Sequence, residues 1–123
     1  MAMERLAKEY KNVLFESSCY ETEQFKSFVR KAKGQLKKGL TEEGLTLTKF
    51  NKGHFEISGF ILNEETGKYA YFIIGDMRWK CMAMMPLDSV LVRTAEGVCD
   101  YHGGHNNFCK VTEMVELAKK LTA

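Results

Sequence analysis

Thiols and imidazoles make the densest chemical cluster in the chain. Cys99, His102, His105 and Cys109 stand in the order C-x2-H-x2-H-x3-C, on a stretch that contains Gly103 and Gly104. Thiolate and imidazole together suit zinc better than calcium or magnesium. Structural zinc sites, however, usually draw their ligands from two separated knuckles, and four ligands this close strain the chain. The competing reading is a connecting loop, whose glycines supply unusual dihedrals and whose Asp and Asn side chains satisfy backbone groups. That reading needs no cofactor. A nucleophile pair of Cys99 with His102 or His105 lacks a third, orienting group. No hydrolase triad, Walker loop or dinucleotide fingerprint occurs elsewhere, so the expectation is a protein that binds rather than catalyses.

Two stretches have the residue types for binding. The first holds Asp76, Arg78 and Trp79, the single tryptophan, followed by Met82, Met84 and Met85. Arg and Trp are common anchors of protein interfaces, and methionines make adaptable contact surfaces. The same residues also suit an Arg held by Asp76 beside a packed indole, with methionines plugging the end of a core. The second stretch is basic. Lys26, Arg30, Lys31, Lys33, Lys37 and Lys38 follow one another with no acidic residue between them. Lys26, Arg30, Lys33 and Lys37 fall at i, i+4, i+7 and i+11, along one flank of a helix, which matches a phosphate backbone or an acidic surface. A solvated helix face with its charges ordered by the helix dipole gives the same pattern.

The elements that must carry these residues follow from periodicity. Leu6, Ala7, Tyr10, Val13 and Leu14 predict a first helix from Glu4 to Leu14. Ser18 and Glu21 form a capping box before a second helix, whose stripe of Phe25, Phe28, Val29, Ala32, Leu36 and Leu40 ends near Gly44. Period-2 patterning then predicts strands at 45–50, 55–62, 68–76 and 89–94, and a last helix at 112–121. The expected fold is α+β, ordered α-α-β-β-β-β-α: a four-stranded antiparallel sheet with two N-terminal helices and one C-terminal helix. Both faces of the central hairpin are apolar, Ile57, Ile61, Tyr69 and Tyr71 on one and Phe60, Leu62, Ala70 and Phe72 on the other. Either three helices cover both faces or a partner covers one, and the second option points to a homodimer or larger assembly.

Composition frames all of this. The chain has 123 residues, 45% hydrophobic and 28% charged, which suits a single globular domain over 1–123. A net charge of +2 is too balanced to announce a polyanion partner by itself. No apolar run approaches the roughly 18 residues of a membrane span, and no signal peptide is visible at Met1–Leu6. The four cysteines, Cys19, Cys81, Cys99 and Cys109, are therefore expected to be reduced thiols in a cytoplasmic protein.

Three groups of residues carry a resemblance. They are 6–10 with 15–20; 50–55; and 74–78 with 92–95 and 100–106, the last ending Asp100-Tyr101-His102-Gly103-Gly104-His105-Asn106. Together they resemble short accessory proteins of bacterial conjugative elements and phages, a class that includes inhibitors of host defence such as anti-CRISPR proteins. The resemblance implies a mobile genetic element and a bacterial host cytoplasm, and it draws attention to Asp76, Arg78, Arg93, Asp100 and Asn106. The leading expectation is thus a non-catalytic inhibitor of a host protein or ribonucleoprotein complex, a CRISPR-type defence nuclease in particular. Its partner-binding edge would comprise Asp76, Arg78, Trp79, Met82, Met84, Met85, Arg93, Asp100, Tyr101 and Asn106. The alternatives are a nucleic-acid-binding module using Lys26, Arg30, Lys33 and Lys37, and a zinc protein or enzyme centred on 99–109.

Overall fold

Leu6 and Tyr10, one helical turn apart, set the packing side of the first helix. The computed structural model describes residues 2–16, 23–53, 56–75, 89–100 and 104–123, and in it α1 spans Ala2–Glu16. Leu6, Ala7 and Tyr10 are buried while Glu4, Arg5 and Lys8 stay exposed. The second helix, α2 (Glu23–Glu42), buries Phe28, Ala32, Leu36 and Leu40, every fourth residue of its stripe. The capping box expected at Ser18 and Glu21 lies outside the described residues. Tyr10 stacks on Phe28 with ring centroids 5.8 Å apart, joining the two helices. Gly39 lets them approach closely elsewhere, since a Cβ there would stand 2.8 Å from Met3 Sδ. At the end of α2, Gly44 takes φ 75° and donates its N–H to Thr41 O at 3.1 Å, the left-handed stop that its position predicts.

The sheet has five antiparallel strands in sequential order: β1 (Leu45–Lys52), β2 (Ile57–Asn63), β3 (Lys68–Ile74), β4 (Ser89–Ala95) and β5 (Asn107–Lys110). The α+β class and the four expected strands are present, and β5 is the addition. It lies in the stretch read from sequence as a glycine loop. Four residues are too few to display a period, and β5 forms through its pairing with β4, Val90 opposite Cys109 and Leu91 opposite Phe108. The β2–β3 turn closes on Gly67 (φ 73°), whose N–H donates to Asn63 O at 2.8 Å. After β5 the chain makes a 3-10 turn (Val111–Glu113) and enters α3 (Met114–Leu121). Asn63 Nδ2, itself buried, donates to Thr122 O at 3.2 Å and so fastens the hairpin to the end of α3.

One sheet face meets the helices. Ile57, Ile61, Ala70, Phe72, Ile74, Val90 and Val92 join the helical stripes and Met114, Val115 and Ala118 of α3 in a single buried core. Gly59 sits on that face, opposite Phe50 and Phe72, beside a bulge in β1 between Leu47 and Lys49. The other face carries Phe60, Tyr71 and Arg93 side by side on neighbouring strands. Phe60 is fully buried, Tyr71 is 8% exposed, and their ring centroids lie 5.1 Å apart. The centre of the second apolar face is therefore already covered within one chain. Phe108, 55% exposed on the β5 edge, and Val98 are the large open apolar side chains among the described residues.

Candidate functional site

The expected partner-binding edge is placed only in part. Asp76, Arg78, Trp79, Met82, Met84, Met85 and Tyr101 lie outside the described residues. Asn106 is exposed beside β5. Arg93 and Asp100 are described, and both have internal partners. Arg93 is only 4% exposed, and its guanidinium carbon lies 4.4 Å from the centroid of the Tyr71 ring. Its Nη2 donates to Asp100 O at 3.0 Å and its Nη1 to Thr94 O at 3.4 Å. Asp100 Oδ2 in turn accepts the Glu96 N–H at 3.0 Å, closing the turn that follows β4. A buried guanidinium that stacks on a ring and bonds to carbonyls fixes a turn. We expect Arg93→Ala to lower unfolding stability by about 2–3 kcal/mol, read as a shift of the urea midpoint. An unshifted midpoint would free Arg93 for a surface role.

The zinc ligand set is likewise placed only in part. His102 is outside the described residues, while Cys99 and His105 are exposed. Cys109 lies half-buried on the helix side of β5 and packs against the core. Burial, and then the nearby Glu113 carboxylate, push its thiol up to about 11. Zinc takes thiolates, and this environment disfavours one. Among the described residues no group of three or more His, Cys, Asp and Glu is arranged to hold a metal. Gly104, with φ 79°, packs so closely on β4 that a Cβ would stand 2.3 Å from Thr94 O, so this glycine does serve the loop's backbone. In the folded protein at pH 8, Cys109 should alkylate at least tenfold more slowly than exposed Cys99, because roughly one thiol in a thousand is ionised there. Peptide mapping after timed alkylation checks this, and equal rates would contradict it.

The basic stretch is the candidate that folding makes stronger. With Phe28, Ala32, Leu36 and Leu40 buried, the six cations of α2 are turned away from the core. Arg30, Lys31, Lys33, Lys37 and Lys38 are exposed and Lys26 is half-buried. Lys33 Nζ lies 5.8 Å from the centroid of the Phe50 ring of β1, which steers it along the flank of the helix. The row expected from spacing, Lys26, Arg30, Lys33 and Lys37, does share one flank, about 17 Å long at 1.5 Å per residue. What the spacing misses is a second flank. Arg30, Lys31 and Lys38 face Arg5 of α1 across a groove of about 360 Å³ that also involves Ala2, Gly34 and Gln35. Only the packing of α1 on α2 brings Arg5 there, and no sequence pattern connects residues 5 and 30. Lys31 Nζ lies 3.6 Å from Glu9 Oε2, whereas Arg5, Arg30 and Lys38 have no acidic partner among the described residues.

Charge is therefore segregated. The chain carries +2 in total, so the six cations of α2 leave the remaining residues at a net −4. Comparison with protein families, with curated proteins and with solved structures finds no match to this chain. The functional reading accordingly rests on the chemistry of this face.

Proposed function

We propose that the chain is a non-catalytic binding protein that takes a nucleic acid against the outer face of α2. The observation that supports this reading is the concentration of Lys26, Arg30, Lys31, Lys33, Lys37 and Lys38 on one exposed helix face, with Arg5 added from α1. A flank about 17 Å long matches the axial length of about five phosphates on one strand. A lipid surface fits less well. An interfacial helix inserts its apolar stripe among acyl chains, and in α2 Phe28, Ala32, Leu36 and Leu40 of that stripe are buried in the core. No described helix is long and apolar enough to cross a membrane.

The resemblance to accessory proteins of mobile genetic elements suggests where such a binder would act. A host defence complex of the CRISPR type presents nucleic acid as well as protein, and we propose inhibition by occupying that nucleic-acid surface. The protein-directed alternative centred on Asp76, Arg78, Trp79 and the methionines draws less support, since Arg93 and Asp100 are committed to the turn after β4. Binding to a mixed-sequence duplex oligonucleotide, titrated across salt concentrations, tests the reading. Affinity should fall steeply as salt rises, and absence of binding at low salt would refute it.

A further inference from the structure

Gly34 sits in the middle of α2, where glycine is among the poorest helix formers. Nothing among the described residues asks for it. Its backbone is not in the left-handed region, and a Cβ built on it would meet no atom within 4 Å. Gly39, five residues on, is different, because Met3 fills the space where a side chain would go. Gly34 opens instead onto the groove between α1 and α2, flanked by Arg5, Arg30, Lys31 and Lys38. Gln35 lines the same groove.

From the open backbone at Gly34 and the cations that surround it we infer that the groove there is the seat of one backbone phosphate of the bound nucleic acid, at the point where its strand comes closest to α2. The inference deepens the reading proposed above and rests on it. Absence of a side chain lets the phosphate approach the helix surface, where Arg5 and Arg30 reach it from opposite sides. Arginine suits this position, because its planar fork bonds two phosphate oxygens at once. The row at Lys33 and Lys37 then follows the strand onward as point charges, adding affinity without fixing the register.

Gly34→Ala separates this from a merely tolerated glycine. Alanine is the better helix former and removes no charge, so the variant should melt a few degrees above the natural protein. On a mixed-sequence duplex oligonucleotide at about 100 mM salt it should nonetheless bind about 5-fold more weakly, with an unchanged salt slope. Gly34→Gln, bulkier and still uncharged, should lose more, about 20-fold, and Arg5→Gln about 5-fold with a slope shallower by roughly one. If the natural protein binds and Gly34→Ala binds equally or more tightly, the seat is elsewhere and only this inference falls. If the natural protein does not bind the oligonucleotide at low salt, the reading of α2 as a nucleic-acid surface falls, and this seat with it.

Discussion

Gly59→Ala should cost about 3–5 kcal/mol, a large part of the roughly 5–15 kcal/mol that holds a domain of this size together. A Cβ at Gly59 would stand 2.1 Å from Lys49 O and 3.0 Å from Phe72 Cε1. Neither neighbour gives way cheaply. Phe72 is fully buried in the core, and the Lys49 carbonyl belongs to the backbone at the β1 bulge. Thr48 Oγ1 donates to Phe60 O at 3.1 Å and holds β1 against β2 at that point. Relief therefore requires β1 to peel from the sheet, which breaks backbone pairing and uncovers the partly buried Phe50 that packs on the core. Urea denaturation reads the effect as a midpoint far below that of the natural protein. A midpoint within experimental scatter would show that β1 slides freely, and the bulge would then have no role in fixing the register. The contrast with Gly34→Ala is informative, since the same substitution is expected to destabilise at one glycine and to stabilise at the other.

Replacing Arg30, Lys33 and Lys37 together by glutamine should weaken nucleic-acid binding about 100-fold at low salt while leaving the fold intact. All three side chains are exposed, and none has an ion-pair partner among the described residues. Surface substitutions of this kind shift stability by only about 0.5 kcal/mol each. Each removed phosphate contact should lower the steepness of the salt dependence by about one. Lys33 also lies near the Phe50 ring, so its loss costs slightly more stability than the others. A triple variant that unfolds at the same urea concentration and still binds with natural affinity would move the site away from α2.

Much of this architecture is legible in the sequence because a single physical pattern controls each part. The buried stripe of α2, the Gly44 stop and the β2–β3 hairpin with its glycine turn are local, and periodicity with turn chemistry is enough to place them. β5 is not local. Asn107–Lys110 has no period of its own, and its strand conformation comes from β4, so a reading of nearby residues assigns it to a loop. Arg93 misleads for a related reason. Arginine in a strand suggests an exposed charge, yet Tyr71 lies directly across the ladder from it and supplies a ring to stack on. On the candidate site, spacing along α2 finds Lys26, Arg30, Lys33 and Lys37, because one helix carries them all. It cannot find Arg5, Lys31 and Lys38 as a second flank, because that groove exists only where two helices meet.

The dependence of nucleic-acid affinity on salt tests the central claim most directly. Four to five phosphate contacts along α2 predict a slope of log K against log salt of about −4 for duplex DNA, hence a loss of about two orders of magnitude between roughly 50 and 200 mM. In the variant lacking Arg30, Lys33 and Lys37 the slope should fall to about −1. Slopes that steep, reduced that far by these three substitutions, are what the outer face of α2 requires. A natural protein whose affinity barely responds to salt, or whose slope survives the triple substitution unchanged, would contradict the account.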